Sequence, residues 1–195
     1  IARTTDKPII IITPETRTRS YAATVCAELL GITFHRWSTK KIPPLKDYIQ
    51  QKAPHAEGKY PIMQTKGGII FGSQAIAKYI AQMKRNRHLL GKTHLHEATV
   101  DSWIEWDSEQ LLPNVEAWIM PILGYRRYDS DEEVVAKALT RRALDRMEQH
   151  LLLNTYLVGH QITLADITIA STLTMPFRLV FDAEFRESYP NVQRW

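Results

Sequence analysis

Gly58-Lys59-Tyr60-Pro61-Ile62-Met63, followed by Ile69-Ile70-Phe71-Gly72-Ser73-Gln74-Ala75-Ile76, is the stretch on which the reading of the N-terminal half turns. Two short apolar segments, 61–65 and 68–71, flank Lys66-Gly67 and read as strands joined by a tight turn. A helix is expected directly after them, from about Ser73 to Met83, with Ser73 where a hydroxyl caps a helix. Proline at 61 withholds a backbone donor, so it belongs at a sheet edge or a special turn, and X-Pro is the common place for a cis peptide bond.

Working upstream, Pro8, four isoleucines and Thr13 form a strand-like run over 8–13. Residues 17–30 read as a helix with Tyr21, Ala22, Val25, Cys26, Leu29 and Leu30 on one broad apolar face, stopped at Gly31. Thr33 to Trp37 reads as a second strand, and the Lys- and Pro-rich residues 39–59 as loop. The order is therefore β-α-β, then β-β-α.

Working downstream, residues 84–95 form a basic linker without strong periodicity, and no strand pattern follows. Helices are expected over 96–111, 114–122, 130–152, 163–175 and 182–188. Ser130 and Glu133 have the spacing of a capping box, with Val134, Ala138, Leu144, Met147 and Leu151 as the apolar side of the helix behind it. A second decisive stretch is Tyr156-Leu157-Val158-Gly159 with Thr163-Leu164-Ala165-Asp166-Ile167. Thr163 caps a helix there, and Asp166, in its first turn, bonds back to the cap and suits the helix dipole. Loss of that carboxylate is expected to cost about 1 kcal/mol or more.

The chain of 195 residues is 44% hydrophobic and 24% charged, the profile of a folded globular protein. One cysteine rules out an intrachain disulfide and a Cys-rich metal site, and a reducing, cytoplasmic setting is expected. Cys26 falls on the apolar side of its helix and reads as core. The seven histidines show no metal spacing, and His94 and His96 read as solvated. No apolar run reaches the roughly 18 residues a membrane span needs. Residues 1–90 hold 15 Lys and Arg against 5 Asp and Glu, whereas 91–195 hold 10 against 16, so two subdomains of opposite charge are expected. Without an aromatic ladder beside the basic residues, direct nucleic-acid binding is not expected. A chain that begins at Ile1 is expected to be part of a longer protein.

Taken together and in this order, the two stretches resemble a glutathione transferase, with a thioredoxin-like half (1–83), a linker (84–95) and an all-helical half (96–195) that is cut short. The resemblance implies a site in the first half. Pro61, with the backbone of Tyr60, would pair with the peptide part of glutathione, and Ser73 would hold its γ-glutamyl carboxylate. Transferases place an acidic residue before that serine, where this chain has Gly72. They also place a Tyr, Ser or Cys just after the first strand to activate the thiol. Here that segment offers Thr13 and Thr16, with no Tyr, Ser or Cys before Ser20. No catalytic residue and no metal ligand is assigned, and no cofactor is expected unless glutathione itself binds.

The match narrows at Trp103-Ile104-Glu105-Trp106-Asp107, Leu112-Pro113, Pro121-Ile122-Leu123-Gly124 and the run from Phe185 to Trp195. These are similar to the transferase-like domain of the gamma subunits of translation elongation factor 1. In that family the domain is a scaffold, which implies as partners the nucleotide-exchange subunits of the elongation factor 1 complex. Pro176-Phe177-Arg178 with Val180-Phe181-Asp182 also resembles the transferase-like appendage of valyl-tRNA synthetases, so an aminoacyl-tRNA synthetase is the alternative parent. Transferase folds often dimerise with unlike halves in contact, and the opposite charges of the two halves suit a salt-sensitive homodimer.

Overall fold

In the computed structural model, residues 9–13, 20–38, 56, 60–65, 67–83 and 87–195 are described. They divide into two compact units, 1–86 and 87–195. Among them no helix is long and apolar enough to cross a membrane.

The first unit is a four-stranded sheet with helices α1 (Tyr21–Leu29) and α2 (Ser73–Met83). Its strands are β1 (Ile9–Thr13), β2 (Phe34–Ser38), β3 (Ile62–Gln64) and β4 (Ile69–Phe71), in the order β2-β1-β3-β4. β2 runs parallel to β1, while β3 and β4 are antiparallel additions, Ile11 lying opposite Met63 and Ile62 opposite Phe71. This is the arrangement expected of the thioredoxin-like half. α1 ends at Gly31, whose φ of +61° is open to glycine without strain. There Ile32 N reaches Ala27 O at 2.9 Å and Gly31 N reaches Glu28 O at 3.0 Å, which satisfies two carbonyls of the last turn.

The broad apolar face read for α1 is narrower than expected. Ala22, Ala23, Cys26 and Ala27 are buried, but Val25 and Leu29 are 38% and 56% exposed. The buried stripe is the small-residue one, and it lets α1 lie close against Ile76, Ala77, Ile80 and Ala81 of α2. Cys26 Sγ donates to Ala77 O at 3.5 Å across that contact.

The second unit is all helix. Its elements are α3 (Arg87–Leu90), α4 (His94–Trp106), a π turn (Asp107–Leu111), α5 (Leu112–Ile122), α6 (Ser130–Leu153), α7 (Leu164–Leu179), α8 (Ala183–Glu187) and α9 (Pro190–Arg194). Periodicity found α4 to α8 to within a few residues. It did not find α3, inside the stretch read as a linker, nor α9. α3 spans four residues, barely one 3.6-residue period, and α9 opens on Pro190, which reads as a breaker. The π turn was likewise unread, because one extra residue per turn does not disturb a short apolar pattern.

Two expectations for α6 are corrected. Its cap is Asp129, whose Oδ1 accepts from Asp131 N at 2.9 Å and Glu132 N at 3.1 Å, so Ser130 already lies inside the helix and caps nothing. Its buried side is Ala136, Thr140, Ala143, Leu144, Met147 and Leu151, while Val134 is 66% exposed and Ala138 is also exposed. Thr140 carries the stripe through a position that reads as polar, and so hid it.

α7 is the core helix. Every residue from Leu164 to Ile169 is buried. Around its C-terminal end an aromatic ladder runs from Trp118 through Phe181 (5.6 Å) to Phe185 (4.3 Å, stacked) and Tyr189 (5.4 Å). α6 caps the ladder with two cations one turn apart, Lys137 over Trp118 at 5.5 Å and Arg141 over Phe185 at 4.3 Å.

Candidate functional site

The sheet brings Thr13, Pro61 and Ser73 to one end of the first unit. β1 and β3 pair with Ile12 opposite Ile62, which carries the register on to Thr13 and Pro61. The Tyr60-Pro61 peptide is cis, Pro61 is buried and Tyr60 is half-buried. Pro61 O accepts from Gly72 N at 3.0 Å, and Ile76 N in turn donates to Gly72 O at 3.1 Å. That pair of bonds fastens the start of α2 beside the proline. Ser73 is the first residue of the helix, half-buried, and the first turn of α2 carries no acidic residue. Its N-terminal amides therefore face an environment in which an anion is favoured.

Gly72 has φ +87°, a conformation an L side chain rarely adopts, although nothing lies within 4 Å of where a Cβ would stand. Space for a side chain is thus available there, but the backbone conformation favours the glycine this chain has. Thr13 is 3% exposed. Thr16 lies outside the described residues. Cys26 is buried, and loss of hydration pushes its thiol up to about 12, so it is no nucleophile at neutral pH. Among the described residues, no three His, Cys, Asp or Glu side chains are grouped to hold a metal.

In the helical unit the capping residues do more than the sequence disclosed. Asp166, 3% exposed, accepts at Oδ2 from Thr163 N (2.8 Å) and Thr163 Oγ1 (2.7 Å). Its Oδ1 accepts from Leu157 N (3.0 Å) and from the indole Nε1 of Trp195 (2.7 Å). One carboxylate thus joins the Thr163 turn, the Tyr156–Gly159 stretch and the last residue of the chain. Leu157 is held from its other side by His150, whose Nε2 lies 3.0 Å from Leu157 O. α6 and α9 cap each other. Glu148 accepts from Asn191 N (2.9 Å) and Val192 N (2.9 Å), and Arg194 donates to Leu151 O (2.6 Å) and Asn154 O (3.1 Å). These partners lie about forty residues apart, beyond the reach of any local pattern.

Comparison with known proteins places this geometry. Residues 111–195 match the glutathione S-transferase C-terminal domain family. Elongation factor 1-gamma 1 of Oryza sativa subsp. japonica is 31% identical over 193 residues, which cover 96% of this chain and 45% of that protein. The chain therefore spans less than half the length of that relative. Among solved structures, the GST-like domain of elongation factor 1-gamma from Saccharomyces cerevisiae superposes with a TM-score of 0.80 at 22% identity, covering 96% of this chain and 86% of that one. A glutathione transferase of Bombyx mori does so with 0.81 at 23% identity, covering 97% and 86%. An enzyme and a translation factor fit equally well, so the fold is that of glutathione transferases and does not by itself choose between them. By sequence and by fold, the chain is a glutathione-transferase-like domain related to the elongation factor 1-gamma proteins.

Proposed function

We propose that the chain is a non-catalytic binding module of the translation-elongation machinery, anchoring the nucleotide-exchange subunits of the elongation factor 1 complex in the cytoplasm. The observation that carries this reading is the 31% identity to a rice elongation factor 1-gamma along 96% of the chain. Three features of the first unit support docking over chemistry. Glycine stands at 72, the Thr13 hydroxyl is buried, and the single thiol is buried at Cys26. The partner segment suited to such a module is an amphipathic helix or a chain terminus laid in a groove, with the opposite charges of the two halves setting its orientation. Self-association through unlike halves belongs to the same reading; the alternative parent for such a docking module is an aminoacyl-tRNA synthetase.

A second reading, a glutathione transferase, is favoured by the approach of Pro61 to the start of α2 through the Gly72–Pro61 hydrogen bond. In that reading Tyr60, Pro61 and Ser73 hold the tripeptide, and Thr13 faces the thiol. Two titrations decide, each followed by calorimetry on the same preparation. The exchange subunit of the elongation factor 1 complex is expected to bind at micromolar concentration or tighter. Glutathione is expected to give no heat and, with an electrophilic acceptor, no turnover. Turnover would overturn the scaffold reading. Failure of the exchange subunit to bind would overturn the choice of partner and turn the search to synthetases.

A further inference from the structure

The rod made by α4 and α5 is interrupted by its π turn, and the first residue of that turn is a buried acid. Asp107 is 1% exposed. Its Oδ2 accepts a 3.0 Å hydrogen bond from Thr172 Oγ1 on α7, while Oδ1 has no hydrogen-bond partner among the described residues. Leu112 N donates to Asp107 O across the turn, in the wider ladder that marks a π turn. Such turns are rare, hold one extra residue within a helix and occur frequently at functional sites. α4, α5, α6 and α7 all pack against this turn.

The charges around Asp107 are one-sided. Among the described residues the single ionised group that acts on it is Glu116 of α5, another carboxylate, and α7 offers only the neutral Thr172 hydroxyl. No cation from α4, α5, α6 or α7 compensates it. An ionised carboxylate in that position is shut off from bulk solvent and keeps one hydrogen bond among the described residues, an arrangement that disfavours the charge unless the group stays neutral or moves out.

We propose that Asp107 is a proton-operated clasp: with its carboxyl neutral it holds the π turn against Thr172 of α7, and on ionising it drives the turn and α7 apart, so that the helical unit loosens locally. The geometry sets where the clasp acts, and the chemistry sets when. Loss of hydration, opposed by the Thr172 hydrogen bond and aided by Glu116, pushes Asp107 up to about 7 from the ordinary 3.8. The folded chain then keeps a proton that the unfolded chain has already released. Its stabilising contribution is complete below about pH 4 and is lost as pH rises towards 7.

The test is urea denaturation of wild type and Asp107→Asn at intervals from about pH 4 to pH 8, followed by tryptophan fluorescence. Asparagine imitates the neutral acid and removes the proton linkage. The wild-type unfolding constant, divided by that of the variant, is expected to rise roughly tenfold per pH unit over that window, approaching 1000-fold, and to level off above pH 7. A ratio that stays flat would overturn the proposal.

Two measurements on wild type keep the test decisive if the variant folds poorly. Carbon-detected NMR of the Asp107 carboxyl is expected to titrate near 7, and a midpoint at or below 5 would overturn the proposal. Hydrogen exchange separates a clasp from an acid that is merely buried. Once corrected for the intrinsic rate, amides of 104–112 and 168–176 are expected to gain exposure above pH 7 ahead of those of α6. A uniform response across the unit would overturn the local opening.

Discussion

Replacing Asp166 by alanine tests how far one carboxylate organises the helical unit. If Asp166 did no more than bond to the cap of α7, its loss would cost about 1 kcal/mol. The structure gives it four donors instead: Thr163 N, Thr163 Oγ1, Leu157 N and Trp195 Nε1, all within 3.0 Å. A hydrogen bond to a charged group contributes about 1.5–3 kcal/mol net, and a buried donor left without an acceptor costs about 1–3 kcal/mol. Bonds that share one acceptor are not additive, so a loss of about 3–5 kcal/mol is expected. At about 2–4 °C per kcal/mol for a chain of this size, the transition should fall by roughly 6–20 °C.

Urea denaturation read by circular dichroism and by tryptophan fluorescence measures the loss directly. Trp195→Phe serves as a control that deletes one part-buried donor and keeps an aromatic ring, and it should cost about 1.5 kcal/mol, the low end for a bond to a charged group. The reasoning is refuted if Asp166→Ala loses no more than that control, since the carboxylate would then be a helix cap and nothing else.

Three further outcomes follow from the same geometry. Asp129→Ala should cost about 1 kcal/mol and Ser130→Ala less than about 0.5 kcal/mol in the same denaturation assay, the reverse of what the Ser-x-x-Glu spacing implies. Glu148→Ala removes the acceptor of the first amides of α9 and should cost about 1–3 kcal/mol, while Arg142→Ala, an exposed cation on the same helix, should cost under about 0.5 kcal/mol; equal effects would dismiss the mutual capping. Gly91→Ala forces a φ of +107° on an L residue and sets its Cβ 2.7 Å from Glu97 N, so a loss of roughly 2–4 kcal/mol is expected, and an unchanged melting temperature would contradict it.

The sequence disclosed what is local and periodic. The run of isoleucines, the two paired strands on either side of 66–67 and the helix from Ser73 to Met83 all stand where composition and spacing put them. So does the contact between Thr163 and Asp166, because its partners lie three residues apart. What stayed hidden depends on partners distant in the chain or on small residues. Val25 and Val134 look like core and are not, since alanines and a threonine take the buried positions and hydropathy alone cannot rank an alanine above a valine. Asp107 reads as one more acid in an acidic half, and only the packing of four helical segments around it reveals that it is buried. In the candidate site the missing acid at Gly72 is visible in the sequence, whereas the left-handed backbone that goes with it is not.

The alanine seam between α1 and α2 has a consequence for that site. With Ala22, Ala23, Cys26 and Ala27 on one side and Ala77 and Ala81 between Ile76 and Ile80 on the other, small residues let the two helices lie close together. α2 is therefore gripped at two places, along the seam and at its start, where Gly72 N is bonded to Pro61 O. A bulkier residue at Ala77 or Ala23 has no free space to enter at this fully buried contact and must push the two helices apart, which strains the anchored start of α2 beside Pro61. Variation at buried positions far from the Pro61–Ser73 corner would in this way reshape it.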